Sequence, residues 1–159
     1  LERNGDVVHM TSYAPLLAKE KHTQWSPDLI YFNNREVKPT TGYCVQKLYG
    51  QNAGSHYIPS QIILDNQDNR VKLRIGSSIV RDSKTGDVIV KLVNLLPVSV
   101  ETEIQLPGIG SVQPSAVRTV LAGAPESTPL PVTDTIEVGV NFKQQLPAYS
   151  FTVIRLKTK

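Results

Sequence analysis

Residues 98–106, VSVETEIQL, alternate without a break: every even position is apolar or Thr, and every odd position is charged or polar. Side chains of an extended strand point in turn to opposite faces, so this period of two buries one face and wets the other only in a β-strand. The same grammar recurs through the second half of the chain. Val71, Leu73 and Ile75 alternate with Lys72 and Arg74, and Ile136, Val138, Val140 and Phe142 repeat the pattern. The polar stretch 82–87 turns the chain into the apolar run 88–95, as a hairpin does. Pro107 and Gly108 end one strand, residues 116–121 read as another, and the Pro-rich residues 123–131 form a loop before a final strand over 149–156. Six or more short strands joined by loops, with no helical pattern among them, predict a mainly β chain built as an antiparallel β-sandwich. Its core is expected to join Val98, Val100, Ile104 and Leu106 with Val71, Leu73, Ile75, Ile136, Val138, Val140 and Phe142.

The first half reads differently. Residues 6–12, DVVHMTS, predict a short strand, and residues 29–32 a second extended piece. Pro39 and Thr40 open a helix, with Thr40 as N-cap, Val45, Leu48 and Tyr49 on the buried face, and Gly50 or Gly54 as the stop. Strand, loop and helix make one β/α unit, and a single unit cannot cover its own strand. The front half therefore reads as truncated. Its loop carries the only tryptophan, Trp25, read first as a structural plug because Trp is usually mostly buried.

Several classes of function fall away on composition. The net charge is +3, and the basic residues lie scattered among acids, with no run suited to tracking phosphates, so no nucleic-acid partner is expected. No apolar run approaches the roughly 20 residues needed to span a bilayer, and no membrane partner is expected. The polar opening residues do not form a signal peptide. Because the chain opens on Leu1 and not on Met, it is expected to be a processed or excised piece. Cys44 is the only cysteine, which excludes an internal disulfide and a cysteine-based zinc site; it reads as a small hydrophobe on the helix. His9, His22 and His56 lack metal-ligand spacing, so no metal is expected.

Residues 6–16, DVVHMTSYAPL, and residues 22–34, HTQWSPDLIYFNN, resemble the α-L-arabinofuranosidases of glycoside hydrolase family 51. The helix with Tyr43, Val45, Gln46 and Lys47, the following Gln51 to Gly54, and the ending LPAYSFTVIRL at 146–156 are similar to later segments of that family. Two small departures are Ser26, where Asn is expected nearby, and Ser55, where Asp is. The resemblance implies a (β/α)8 barrel followed by a jelly-roll-like β-sandwich. Residues 1–54 would be a remnant of the last β/α unit of the barrel, and residues 55–159 the C-terminal sandwich.

The resemblance also implies a retaining parent enzyme. It would release terminal non-reducing α-L-arabinofuranosyl residues from arabinans, arabinoxylans or related arabinosides, with no cofactor and an extracellular or periplasmic setting. Retention takes two carboxylates about 5–5.5 Å apart. The family's acid/base Glu follows an Asn and its nucleophile Glu lies on a later strand; neither motif occurs in this chain, and both would lie upstream of Leu1. Glu2, Asp6, Glu20, Asp28 and Glu36 read as solvated or capping acids. The chain by itself is thus expected to be inactive, with no catalytic residue of its own. Ser12, near the end of the expected barrel strand, and Trp25, in the loop beyond it, become candidate lining of the sugar cleft. An arabinose-containing polysaccharide or oligosaccharide is the expected partner, met through the barrel. The alternative is an independent carbohydrate-binding sandwich, for which Tyr57, Phe142, Tyr149 and Phe151 are the aromatic residues on offer. Residues 1–20, stripped of barrel neighbours, are expected to be mobile, to fold back near residues 43–49, or to pair with a second copy as a homo-oligomer.

Overall fold

The fold is decided by the run Val88 to Val93, which carries five apolar residues and one lysine in a row. In the computed structural model, which describes residues 1–158, this run is buried on both faces. The elements in chain order are a 3₁₀ turn at Glu2–Asn4, β1 (Leu17–Lys19), β2 (Ile30–Phe32), β3 (Val37–Pro39), α1 (Thr41–Gln51), β4 (His56–Ile58), α2 (Asn69–Lys72), β5 (Ile75–Arg81), β6 (Val88–Asn94), β7 (Val100–Gln105), β8 (Val112–Ala122), β9 (Val132–Glu137), β10 (Asn141–Leu146) and β11 (Ser150–Thr158). Six of them form one sheet in the order β4-β5-β6-β11-β8-β9, antiparallel throughout. β7 and β10 form a second, two-stranded antiparallel sheet.

Between these two sheets lies the first core. Val88, Val90 and Leu92 of β6 and Ile154 and Leu156 of β11 meet Ile104, Leu106 and Leu146 from the β7 and β10 side. The residues in between point the other way. Ile89, Phe151 and Val153 join Val80 and Leu121 in a second core closed by Cys44 and Leu48 of α1. Tyr49 of α1 stacks on Phe151 with ring centroids 4.8 Å apart and planes within 10°. The sandwich is therefore present, and a helix covers the outer face of its large sheet. Strands covered on both faces lose the alternation that marks a half-wet strand, which is why residues 88–93 read as a continuous apolar run.

Helix α1 begins where the sequence predicts. Thr40 Oγ1 accepts from the Tyr43 N–H at 3.3 Å, satisfying one of the free amides of the first turn. Its end differs from expectation, because neither Gly50 nor Gly54 is the cap. Asn52 fills that place, its side-chain amide donating to the Leu48 carbonyl at 2.9 Å. Gly54 answers to a different constraint. A Cβ there would lie 2.6 Å from Val80 Cβ, so only glycine lets the chain cross β5 this closely.

Three further expectations are corrected. Asn69–Lys72 is helical, not extended: Asp68 accepts from the Arg70 N–H at 2.8 Å and caps α2, and its C-cap Leu73 is left 84% exposed. A local cap thus overrides a two-residue alternation. Val98 and Val140 are exposed as well, because pairing begins only at Val100 and Asn141. Val98 lies in the crossover between sheets, where its carbonyl accepts from Asn94 Nδ2 at 2.9 Å. Residues 6–12, finally, form no strand among the described residues. A strand needs a neighbour to take its amides and carbonyls, and no described segment pairs with this one.

Within residues 1–20, the first turn folds back on the sandwich. The 3₁₀ turn brings Glu2 to Ser78 and Lys91 on the sheet face that α1 covers. β1 then pairs in parallel with β2, and β2 in antiparallel with β3.

Candidate functional site

The parallel pair β1-β2 sets where the candidate lining residues stand. Leu17 is in register with Ile30. Ser12 precedes the first by five positions and Trp25 precedes the second by five, so both belong to segments entering this small sheet at the same end. The Leu29 N–H donates to the Pro15 carbonyl at 3.3 Å and the Ile30 N–H to the Leu16 carbonyl at 3.0 Å, which ties the two entering segments together. Ser12 is exposed and makes no hydrogen bond among the described residues.

Trp25 is 69% exposed, so the structural-plug reading fails for this chain. It is presented by a turn. Thr23 Oγ1 accepts from the Trp25 N–H at 3.1 Å and stands 3.1 Å from Asp28 Oδ2, to which it can donate. The Asp28 N–H donates to the Tyr31 hydroxyl at 2.9 Å. Asp28, read from sequence as a solvated or capping acid, is instead buried, and its Oδ1 finds no partner among the described residues. Met10, Leu17 and Val7 are exposed in the same front region, and Met10 is the most exposed of all.

At the other end of the small sheet lies a polar knot. Lys38 Nζ pairs with Glu20 at 2.8 Å and Glu36 at 2.9 Å, while Asn33 Nδ2 donates to Glu20 at 2.8 Å and to Glu36 at 3.3 Å. Hydrogen bonds from Lys38 first, and from Asn33 second, hold both carboxyls below the usual range, and the bond to Glu20 in turn raises the Lys38 ammonium. A retaining glycosidase needs one carboxyl pushed up so that it can act as an acid. Both are pushed down here, and each is held by Lys38 and Asn33 at the surface, which is the geometry of a surface tie. Among the described residues no group of His, Cys, Asp or Glu is arranged to hold a metal ion.

Between α1 and the large sheet runs an apolar cavity of about 430 Å³, lined by Val45, Val93, Leu121, Pro129, Tyr149 and Phe151. Tyr57 and Phe142 are half-buried, and Phe142 packs against the first core. Residues 57–158 therefore display no flat row of aromatic rings. Charged clusters, too, escaped the sequence reading. Arg155 reaches Asp82 at 3.1 Å and Asp87 at 2.8 Å across the hairpin end. Lys91 is fully buried and pairs with Glu2. The signal for the second was visible, since a lone lysine interrupts residues 88–93.

A six-stranded sheet closed by a two-stranded one, with a short β/α lead, is a fold also found in solved glycoside hydrolases. The family 51 α-L-arabinofuranosidase of Thermotoga petrophila RKU-1 shares the fold with a TM-score of 0.68 over 80% of this chain and 31% of its own, at 14% identity. The particular family follows from closer matches. The family model for the α-L-arabinofuranosidase C-terminal domain matches residues 1–150, and the chain belongs to that family, in its glycoside hydrolase family 51 branch. An arabinose-bound family 51 α-L-arabinofuranosidase superposes on 99% of this chain with a TM-score of 0.85 and 33% identity, using 25% of its own length. A probable α-L-arabinofuranosidase A of Aspergillus terreus is 36% identical over 113 residues, 70% of this chain and 17% of that protein. An extracellular exo-α-L-arabinofuranosidase of Streptomyces chartreusis is 54% identical over 61 residues, 38% of this chain and 7% of that protein. The chain thus spans less than a fifth of these curated relatives, and it is a C-terminal domain without the catalytic barrel. Its relatives act on arabinose-containing substrates.

Proposed function

We propose that this chain is the non-catalytic C-terminal part of a retaining enzyme that releases terminal α-L-arabinofuranosyl residues, and that residues 1–54 complete its catalytic barrel while residues 55–159 form the sandwich that braces it. The observation that carries this reading is the match over 99% of the chain to an arabinose-bound relative four times its length. The exposed Val7, Met10, Leu17 and Trp25 support it, because apolar side chains grouped on one region are what a buried contact leaves behind when its partner is taken away. Ser12 and Trp25 line or flank the sugar cleft from segments that enter the small sheet together. The same face offers a second copy of the chain a surface to pair with at high protein concentration, and light scattering over a concentration series tests for that dimer.

The sugar-binding alternative has nothing comparable in its favour, since Phe151 is buried and Phe142 belongs to the core. The test is hydrolysis of an aryl α-L-arabinofuranoside by the chain alone and by the full-length product of its gene. Turnover by the full-length protein and none by the chain is the expected result. Turnover by the purified chain, or micromolar arabino-oligosaccharide binding lost on mutating Tyr57 or Tyr149, overturns the reading.

A further inference from the structure

Lys91 sits in the middle of β6, opposite Ser78 on β5 and Val153 on β11, with its side chain on the face turned toward α1. It has no exposed surface. A buried ammonium is tolerated only when a counter-charge and hydrogen bonds replace the water it has lost. Burial lowers its proton affinity, Glu2 opposes that, and the nearby Arg155 is a like charge that adds to it. Asp82 and Asp87 are already engaged by Arg155. The compensation therefore comes from Glu2, whose Oε1 pairs with Lys91 Nζ and whose Oε2 accepts from Ser78 Oγ at 2.5 Å. The Tyr49 ring lies under the ammonium, its centroid 5.3 Å from Nζ.

Two strands, β5 and β6, thus supply one donor to each oxygen of one carboxylate, and Tyr49 of α1 packs its ring against the donating ammonium. The carboxylate comes from a turn with no buried residue, and every residue from Arg3 to Tyr13 except Val8 is exposed. Among the described residues, the Glu2 contacts are the hydrogen bonds that join residues 1–13 to the large sheet. We propose that Lys91, Ser78 and Tyr49 form a carboxylate receptor on the helix-facing side of the large sheet, and that Glu2 is its ligand, pinning the front segment to the sandwich. The inference goes beyond the proposed function and stands on this cluster alone.

A receptor for a carboxylate should accept a free one when its own is removed. In Glu2→Ala, the melting temperature is expected to fall by about 5 °C or more. Adding about 100 mM sodium acetate should restore at least about half of that loss relative to equal sodium chloride, by mass action on the folded state. Lys91→Met, which fills the site with an apolar chain of similar length, should show no response to acetate. In Lys91→Met the sequence around Arg3 is unchanged, and trypsin should cut after Arg3 at least about tenfold faster than in the wild type. If Glu2→Ala fails to fold, Glu2→Gln is read instead, with a lowered melting temperature expected. Acetate and chloride acting alike on Glu2→Ala, a wild-type melting temperature in Glu2→Gln, or unchanged cleavage in Lys91→Met would each overturn the receptor.

Discussion

β6 and β11 are covered on both faces, whereas residues 1–32 leave Val7, Met10, Leu17 and Trp25 in water. The two regions are built from similar residue types, so the difference lies in what surrounds them. In the sandwich every apolar row meets another: Ile154 and Leu156 find Val88, Val90 and Leu146, and the opposite face finds α1. In the front segment the only buried apolar residues are Ala18 and Leu29. One region buries its apolar rows, and the other leaves them exposed.

The largest effects should come from the self-sufficient region. Ile154→Ala removes a fully buried side chain from the first core and should cost about 2–5 kcal/mol, read as a shift in the urea midpoint. A cost under about 1 kcal/mol would mean that the core is not where these strands place it. Gly54→Ala comes next. It forces a methyl group toward Val80 and the Arg81 carbonyl and should cost about 1–3 kcal/mol in the same assay, a neutral outcome showing that the chain does not approach β5 so closely.

Acid separates the regions less sharply, because each has lowered carboxyls. The Lys84 amide lowers Asp82 most, with Arg155 helping, and Arg118 lowers Asp134; Lys38 lowers Glu20 and Glu36. A carboxyl with a lowered folded value contributes stability that is present above its ordinary range and is lost as pH falls through the folded value. Melting temperature should therefore fall as pH drops below about 4, and Asp82→Asn should flatten that limb. A limb of unchanged steepness removes Asp82 from the account. The smallest effect belongs to the front. Trp25→Ala should change the stability of the isolated chain by no more than about 0.5 kcal/mol. A larger loss would show that the ring is packed after all.

Much of the sandwich was legible because its half-wet strands keep the period of two. The stretch from Val100 to Leu106 shows it: Ile104 and Leu106 are buried, and Glu101 and Glu103 are exposed. Val71 and Leu73 misled for a local reason, since two alternating positions weigh less than the Asp68 cap that starts α2 and leaves Leu73 at its C-cap. Residues 6–12 misled for a non-local one. Their pattern is that of a strand, but strand pairing depends on neighbours that a sequence window does not contain. The structure ties the segments that carry Ser12 and Trp25 together at Pro15 and Leu16, and neither that tie nor the exposure of Trp25 was legible in the sequence. Typical burial of a tryptophan is an average over many proteins, and the Thr23–Asp28 turn that presents Trp25 departs from it. The burial of Lys91 was legible only as an oddity, because its counter-charge comes from Glu2, 89 positions away.

Hydrogen exchange, measured residue by residue on the isolated chain and on the full-length protein, tests most directly whether the front is a face completed by the rest of the enzyme. The account predicts slow exchange in β6 and β11 in both samples, and fast exchange at residues 7–14 and 24–26 that becomes strongly protected only in the full-length protein. Equally fast exchange at those residues in the full-length protein would contradict it.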